Sequence, residues 1–454
     1  MSNVRVSIAK TGELKGNAQF MAGEYVRYEE DVAKIKGAVK KAVELAVGSI
    51  DNVIKPGQKV LVKPNLAFQA PPTSFAVVDP RMLEAVVAYL KEESKAGEIA
   101  VGDNPSLGKH IGKAREAFAQ SGLQEAAERG KADRIVYFDE HETVHVKVPG
   151  ARYLHEADVW KPFLDADVVI NVPKMKVHLA KTVTLGLANW QGILRNDHPS
   201  DGGVDGKGLH TNQQGQHRND IDPKVVDEYR IRKADLTIVD AVIGMEGQGP
   251  HTGTPIEMGL IIAGTDTVAV DSVTGACMGF EPKEIPAVRI AYHDGLGEMR
   301  LNQIEVVGAP IDSVMKHFLR ANGNPVGVWP GLDVLTQQSC PGCFVNIRGA
   351  IDNFAMHSGF DLAEYNAKLD DIVFITGGQP DLEPEYCRDK VVFLVGDCWE
   401  WFPSAPTIRK ALKLARKVIV RAGCTPVYVF AQINDDLINL GTEAGLLAHV
   451  GSGI

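Results

Sequence analysis

The chain has 454 residues, 44% hydrophobic and 23% charged, a balance that suits two or three globular domains of about 100–200 residues each and excludes long disorder. Its net charge of −10 disfavours nucleic-acid or anionic-membrane binding, since both need clustered positive charge. The opening MSNVRVSI lacks the basic and apolar regions of a signal peptide, and no apolar run reaches the roughly 18 residues of a membrane span, so a cytoplasmic location is expected.

Along the chain, short apolar runs alternate with helix-period segments. Strands are predicted at 59–62 (KVLV), 98–101 (EIAV), 134–138 (RIVYF), 168–172 (VVINV), 236–239 (LTIV) and 260–262 (LII). Helices are predicted at 31–47, 81–93 and 114–128. Near-continuous apolar strands separated by helices imply an α/β fold, with mostly parallel sheets flanked by helices. Ligands of such folds collect at the C-terminal strand ends. That rule places KPN (63–65), GDNP (102–105), NVPKMK (171–176) and DAVIGMEGQGP (240–250) at one rim.

The rim mixes lysine, histidine and carboxylate groups, which can bind a small anionic molecule and move a proton. Lys63, Asp103, Lys174, His178 and Glu246 are the candidate catalytic residues, and Asn65, Lys176, Asn189 and Asp240 the candidate substrate-binding residues. The carboxylates and His178 could also hold a divalent metal. Bland readings stand beside these. Asp103 and Asp240 follow strands and could simply cap helices. Asp271 begins a helical run and reads as structural. The turn with Gly244, Gly247 and Gly249 is neither a P-loop nor a dinucleotide fingerprint. A polar, Gly-rich stretch at 195–220 carries His198, His210 and His217, as metal ligands or as solvated side chains.

A Gly/Pro/Asn-rich boundary near 321–330 separates a large domain, 1–325, from a smaller flavodoxin-like unit, 326–454. Strands are predicted there at 332–335, 372–375, 391–395 and 418–420, with helices at 346–354 and 406–415. Five of the six cysteines fall between 340 and 424. In a long chain with no secretory signal, such crowding reads as metal or redox chemistry. Cys340, Cys343, Cys398 and Cys424 follow three strands, so four thiols could meet at one sheet edge. Four thiolates suit an iron–sulfur cluster or a structural zinc, and Cys340/Cys343 alone could form a redox dithiol. Cys387 could replace one ligand, whereas Cys277 lies on an apolar helix face and reads as core.

The order C-x-G-C, G-x-C and G-C-x-P, each at a strand end, resembles the cluster-binding domain of nickel–iron hydrogenase small subunits, with related complex I subunits sharing the arrangement. The resemblance implies that Cys340, Cys343, Cys398 and Cys424 hold one [4Fe–4S] cluster. Here the last motif is Gly-Cys-Thr-Pro, where that family usually has Gly-Cys-Pro-Pro. Upstream, VLVKPNL (60–66), VGDNPS (101–106), VINVPKMKVH (169–178), TLGLANWQGIL (184–194), IVDAVIGMEGQGPHTG (238–253), TDTVAVDSVTGACMGF (265–280) and IEVVG (304–308) resemble, in this order, the domain-of-unknown-function family numbered 362. That resemblance covers about residues 4–310. It implies an iron–sulfur module elsewhere in the chain, but no reaction. The expectation is an oxidoreductase whose cluster passes electrons to or from a small anionic ligand, with a redox partner protein. The alternatives are a lyase or isomerase with a structural cluster or zinc, and an electron-carrier or maturation partner with no substrate of its own.

Overall fold

The computed structural model describes residues 4–66, 69–105, 113–195, 221–329, 332–358, 361–369, 371–379, 381–423 and 429–447. Two compact units divide between Ala321 and Asn322. The strands of the first are β1 (Val4–Lys10), β2 (Lys59–Pro64), β3 (Glu98–Asp103), β4 (Arg134–Tyr137), β5 (Thr143–Lys147), β6 (Glu156–Trp160), β7 (Val168–Val172), β8 (Lys174–His178), β9 (Thr182–Thr184), β10 (Leu236–Glu246), β11 (Thr254–Gly264) and β12 (Ile304–Gly308). The large sheet runs β12-β1-β11-β10-β7-β2-β3-β4, with β8 beside β10 and β9 beside β8. The strands from β10 through β7, β2 and β3 to β4 pair in parallel, as expected from their apolar runs. By contrast, β11 lies antiparallel to both β1 and β10. The reason is its short connection: β10 and β11 are joined by residues 247–253, which is too few for a parallel crossover.

Alternation sets the faces of β2. Val60 and Val62 join the core packed under the helices Glu29–Val47 and Pro80–Glu93. Leu61 and Lys63 therefore point to the opposite face. Each fully buried valine contributes about 1.5–3 kcal/mol. The helix Pro80–Glu93 starts cleanly because Asp79 accepts from the Arg81 amide and proline occupies its first position. The helix expected over 114–128 is two, Ala114–Gln120 and Leu123–Arg129, because Gly122 between them is left-handed at φ 72°. No described helix is long and apolar enough to cross a membrane.

The second unit holds β13 (Asp333–Leu335), β14 (Ile372–Thr376), β15 (Val391–Val395) and β16 (Lys417–Arg421), parallel and in that order. Both faces are covered. Phe374 and Phe393 pack toward the helices Pro341–Ser358 and Val429–Glu443, while Val373, Ile375, Val392 and Leu394 pack toward the helix Ala405–Leu414. This two-sided burial is why the central strands β14 and β15 are almost wholly apolar, whereas β16 at the edge carries Lys417 and Arg421 and is only partly buried.

Candidate functional site

The C-terminal ends of β2, β3 and β7 are neighbours in the sheet, and β8 continues beside β10. The predicted rim residues do converge there, but inside the protein. Lys63, Asp103, Lys174, Lys176, Asn65, Asn189 and Asp240 are all buried. They form two polar networks, the first around Lys63 and Asn189. Lys63 Nζ lies 2.6 Å from Asp103 Oδ1 and donates to the Asn189 carbonyl at 2.6 Å. The Asn189 amide donates back to the Lys63 carbonyl and to Asn171 Oδ1. Asn65 donates to Asn189 Oδ1 and accepts from Lys176 Nζ at 2.9 Å.

A second arm starts at Lys174, whose Nζ donates to Asp240 Oδ2 at 2.9 Å. The same oxygen accepts from the Asp79 amide, and Asp79 is gripped by both sides of the Arg81 guanidinium. Arg81 also reaches Asn17 and Asp31. Neither Asp103 nor Asp240 caps a described helix, since Asp103 Oδ2 accepts from the Leu66 amide and Asp240 Oδ1 from the Val242 amide. Sequence reading missed Asp31, Asp79 and Arg81, because an Asp-Pro-Arg helix start looks like ordinary capping.

Burial dominates the charge states. It pushes Lys63 down and Asp103 up, with each partner opposing the shift of the other. Burial thus weakens the charged form of both partners, and their mutual attraction favours it, the two influences that set where a shared proton resides. Lys176 is driven well below its ordinary value by burial, then by Lys174 and Lys181; its bonded acceptors, Asn65 Oδ1 and the Ala76 carbonyl, carry no charge. Asp240 is raised by burial despite Lys174. Burial also opposes ionised Asp79, but the Arg81 guanidinium overrides it and holds Asp79 low.

Two candidates stand apart. Glu246 accepts from the Leu319 amide at 2.9 Å, tying down the end of β10. His178 Nδ1 accepts from the Ala180 and Lys181 amides, which fixes the turn after β8. Its ring proton is thereby assigned to Nε2. The histidines at 198, 210 and 217 lie outside the described residues.

Gly192 approaches the network most closely. A β-carbon there would collide with Asp103 Oδ1 and lie 2.8 Å from the Asn104 carbonyl. Gly192→Ala is expected to displace Asp103 from Lys63 and to cost about 1–3 kcal/mol, read as a lower unfolding midpoint. An unchanged midpoint would refute this packing.

Asp271 is structural, as expected, accepting from the Gly186 and Leu187 amides. Burial lifts it from 3.8 to about 7 against those two bonds. The fold therefore favours its protonated form. Its contribution is full below pH 3.8 and is lost as pH rises through about 7. Asp271→Asn should flatten that stretch of the stability–pH curve, measured by thermal unfolding; an unaltered slope would assign it to another group.

A cavity of about 330 Å³ lies at the opposite sheet edge, where Lys59, Glu98 and Arg134 begin their strands. Two ion pairs line it, Arg134 with Glu98 and Lys161 with Asp165. It contains none of the rim residues.

In the second unit, Cys340 follows β13 and directly precedes the helix Pro341–Ser358, whose first turn carries the buried Cys343. Cys398 follows β15. It is exposed as a residue, yet partial burial of its thiol and then the nearby Cys340 push its pKa up. Two such thiolates repel, and a bound cation would reverse that. Cys387 sits before β15, at the other end of the strand, in the core under the helix Ala405–Leu414. It is therefore no substitute ligand. Cys277 is buried, and burial lifts its thiol to about 12, as befits a core residue. Among the described residues, no three His, Cys, Asp or Glu side chains close into a metal-holding group; Cys424 lies outside them.

Residues 60–276 match the family model for a domain of unknown function, DUF362. A thylakoid-associated protein of Synechocystis sp. is 28% identical over 259 residues, which span 55% of this chain and 72% of that protein. The DUF362 region contains the network from Lys63 to Asp271 and ends before the cysteines at 340 and beyond.

Proposed function

We propose that the chain is an iron–sulfur oxidoreductase. One [4Fe–4S] cluster is held by Cys340, Cys343, Cys398 and Cys424, and electrons pass to or from a small anionic molecule bound in the DUF362 region. The observation that carries the reading is the approach of Cys340 and Cys398, from loops after two different strands, close enough for one thiol to perturb the other. Cys343, in the first turn of the helix that follows Cys340, would supply the third sulfur once a cluster draws these side chains together. The cluster would supply one-electron transfer; four thiolate ligands leave no iron position open for substrate. The protein's share is to shield the sulfurs and to hold the loops through bonds such as Ser339 Oγ to Thr376 Oγ1 at 3.0 Å. Trp401, 88% exposed and three residues beyond Cys398, offers a redox partner protein an apolar contact.

The test is anaerobic purification with iron, acid-labile sulfide and zinc analysis, plus EPR of the reduced protein. Iron and sulfide in equal amounts, with a reduced-state signal, are expected. Stoichiometric zinc without sulfide would overturn the cluster.

One observation favours a second reading, a lyase or isomerase with a structural metal centre. The Lys63–Asp103 pair is suited to proton transfer whether or not electrons move. A cluster with no reversible reduction, in a protein that exchanges substrate protons with solvent, would favour it.

A further inference from the structure

The helix Ile221–Ile231 buries both Lys224 and Glu228 completely. A Lys–Glu pair four residues apart ordinarily lies on a solvated face. Here Nζ and Oε1 are 3.2 Å apart, yet Lys224 Nζ and both Glu228 oxygens lack a hydrogen bond. Asp103 Oδ1 is also without one, despite its ion contact with Lys63. Lys181, from the turn before β9, is buried too; its Nζ donates to the neutral Gln191 Oε1 at 3.3 Å, and Asp222 and Glu228 act on it electrostatically.

These groups share one interior. Gln191 adjoins Gly192, which packs against Asp103. Glu228 acts electrostatically on Lys63 and on Lys181. A buried polar group without its hydrogen bond costs about 1–3 kcal/mol, and four such atoms in one place are a standing loss that a ligand would remove. The donor set also selects the ligand. The buried lysines are matched by buried carboxylates, Asp103, Asp222 and Glu228, so a ligand has to offer acceptors and donors together. A plain anion would offer no donor to Glu228, neither of whose oxygens has a hydrogen bond in the fold, nor to Asp103 Oδ1.

We propose that Lys181, Lys224 and Glu228, with Lys63 and Asp103, form a binding site for a small hydroxylated anion. The lysines take its carboxylate or phosphate, and Glu228 and Asp103 accept from adjacent hydroxyl groups. This rests on the reading that the DUF362 region binds a small anion; it adds the place and the second recognition group. Because the groups are fully buried, entry requires opening, so association runs below the usual 10⁵–10⁷ M⁻¹ s⁻¹, on the order of 10⁴ or less.

The test is calorimetric titration of the full chain with glycerol 3-phosphate and with malate, using glycerol and inorganic phosphate as controls. Saturable binding of at least one hydroxylated anion is expected, with weaker binding of inorganic phosphate and none of glycerol. Glu228→Gln and Lys181→Met should each weaken it about tenfold or more, the worth of one charge-assisted hydrogen bond. Lys181→Met also takes an attraction away from the buried Asp222 and Glu228, so circular dichroism and the unfolding midpoint of each variant are read beside its affinity. Unchanged affinity in both folded variants would place the anion elsewhere and overturn this site while leaving anion binding intact. No binding of either anion by the wild type would overturn both.

Discussion

Lys63→Met is expected to destabilise the first unit by about 3–5 kcal/mol, the cost of leaving a buried carboxylate without its partner. Asp103 keeps the Leu66 amide as a donor but loses the ammonium 2.6 Å away. The loss should appear in urea unfolding followed by tryptophan fluorescence, with Trp160 and Trp190 reporting on this unit. Lys63→Met combined with Asp103→Leu should recover most of it, because removing both charges also removes the desolvation that they oppose. A loss below about 1 kcal/mol in the single variant would mean that Asp103 is already protonated in the fold. The pair would then start as amine and carboxylic acid, which reverses the direction of any proton it moves.

Cys398→Ser is expected to abolish the visible absorbance and the acid-labile sulfide of the anaerobically purified protein. The sulfur removed is the one already near Cys340. Cys387→Ser should leave both signals intact, since Cys387 precedes β15, at the opposite end of the strand from Cys398, and is buried in the core that includes the helix Ala405–Leu414. Its cost is instead one of stability, about 1–3 kcal/mol for a hydroxyl buried in an apolar core. The opposite pattern, with signals lost at Cys387 and kept at Cys398, would move the ligand role and undo the proposed centre.

The two pairs of variants separate the units. A lysine variant that unfolds the first unit but keeps the cluster signals would mark the second as self-sufficient. The first unit and the cysteine-bearing unit each have their own sheet and core, so this outcome is expected.

The strands were legible because their burial is two-sided. VVINV at 168–172 has no polar face to present, and it folds as β7, fully buried. The same logic located Lys63 and Asp103 at adjacent strand ends. It missed β1 and β12, where polar residues interrupt the apolar pattern, and the antiparallel turn of β11. Lys224 and Glu228 also escaped, because a Lys–Glu pair four residues apart reads as a solvated face and only the packing buries that helix around them.

By itself, the sequence determined the α/β class, the parallel strands and the residues that end them, because hydrophobic periodicity acts over a few neighbouring positions. Only the tertiary structure decided that the rim is sealed rather than open, that Lys174 meets Asp240 and Lys176 meets Asn65, and that Cys387 faces away from Cys340. Those outcomes depend on which distant segments pack together. Burial then sets the dielectric around each charge, and no local pattern of residues carries that information.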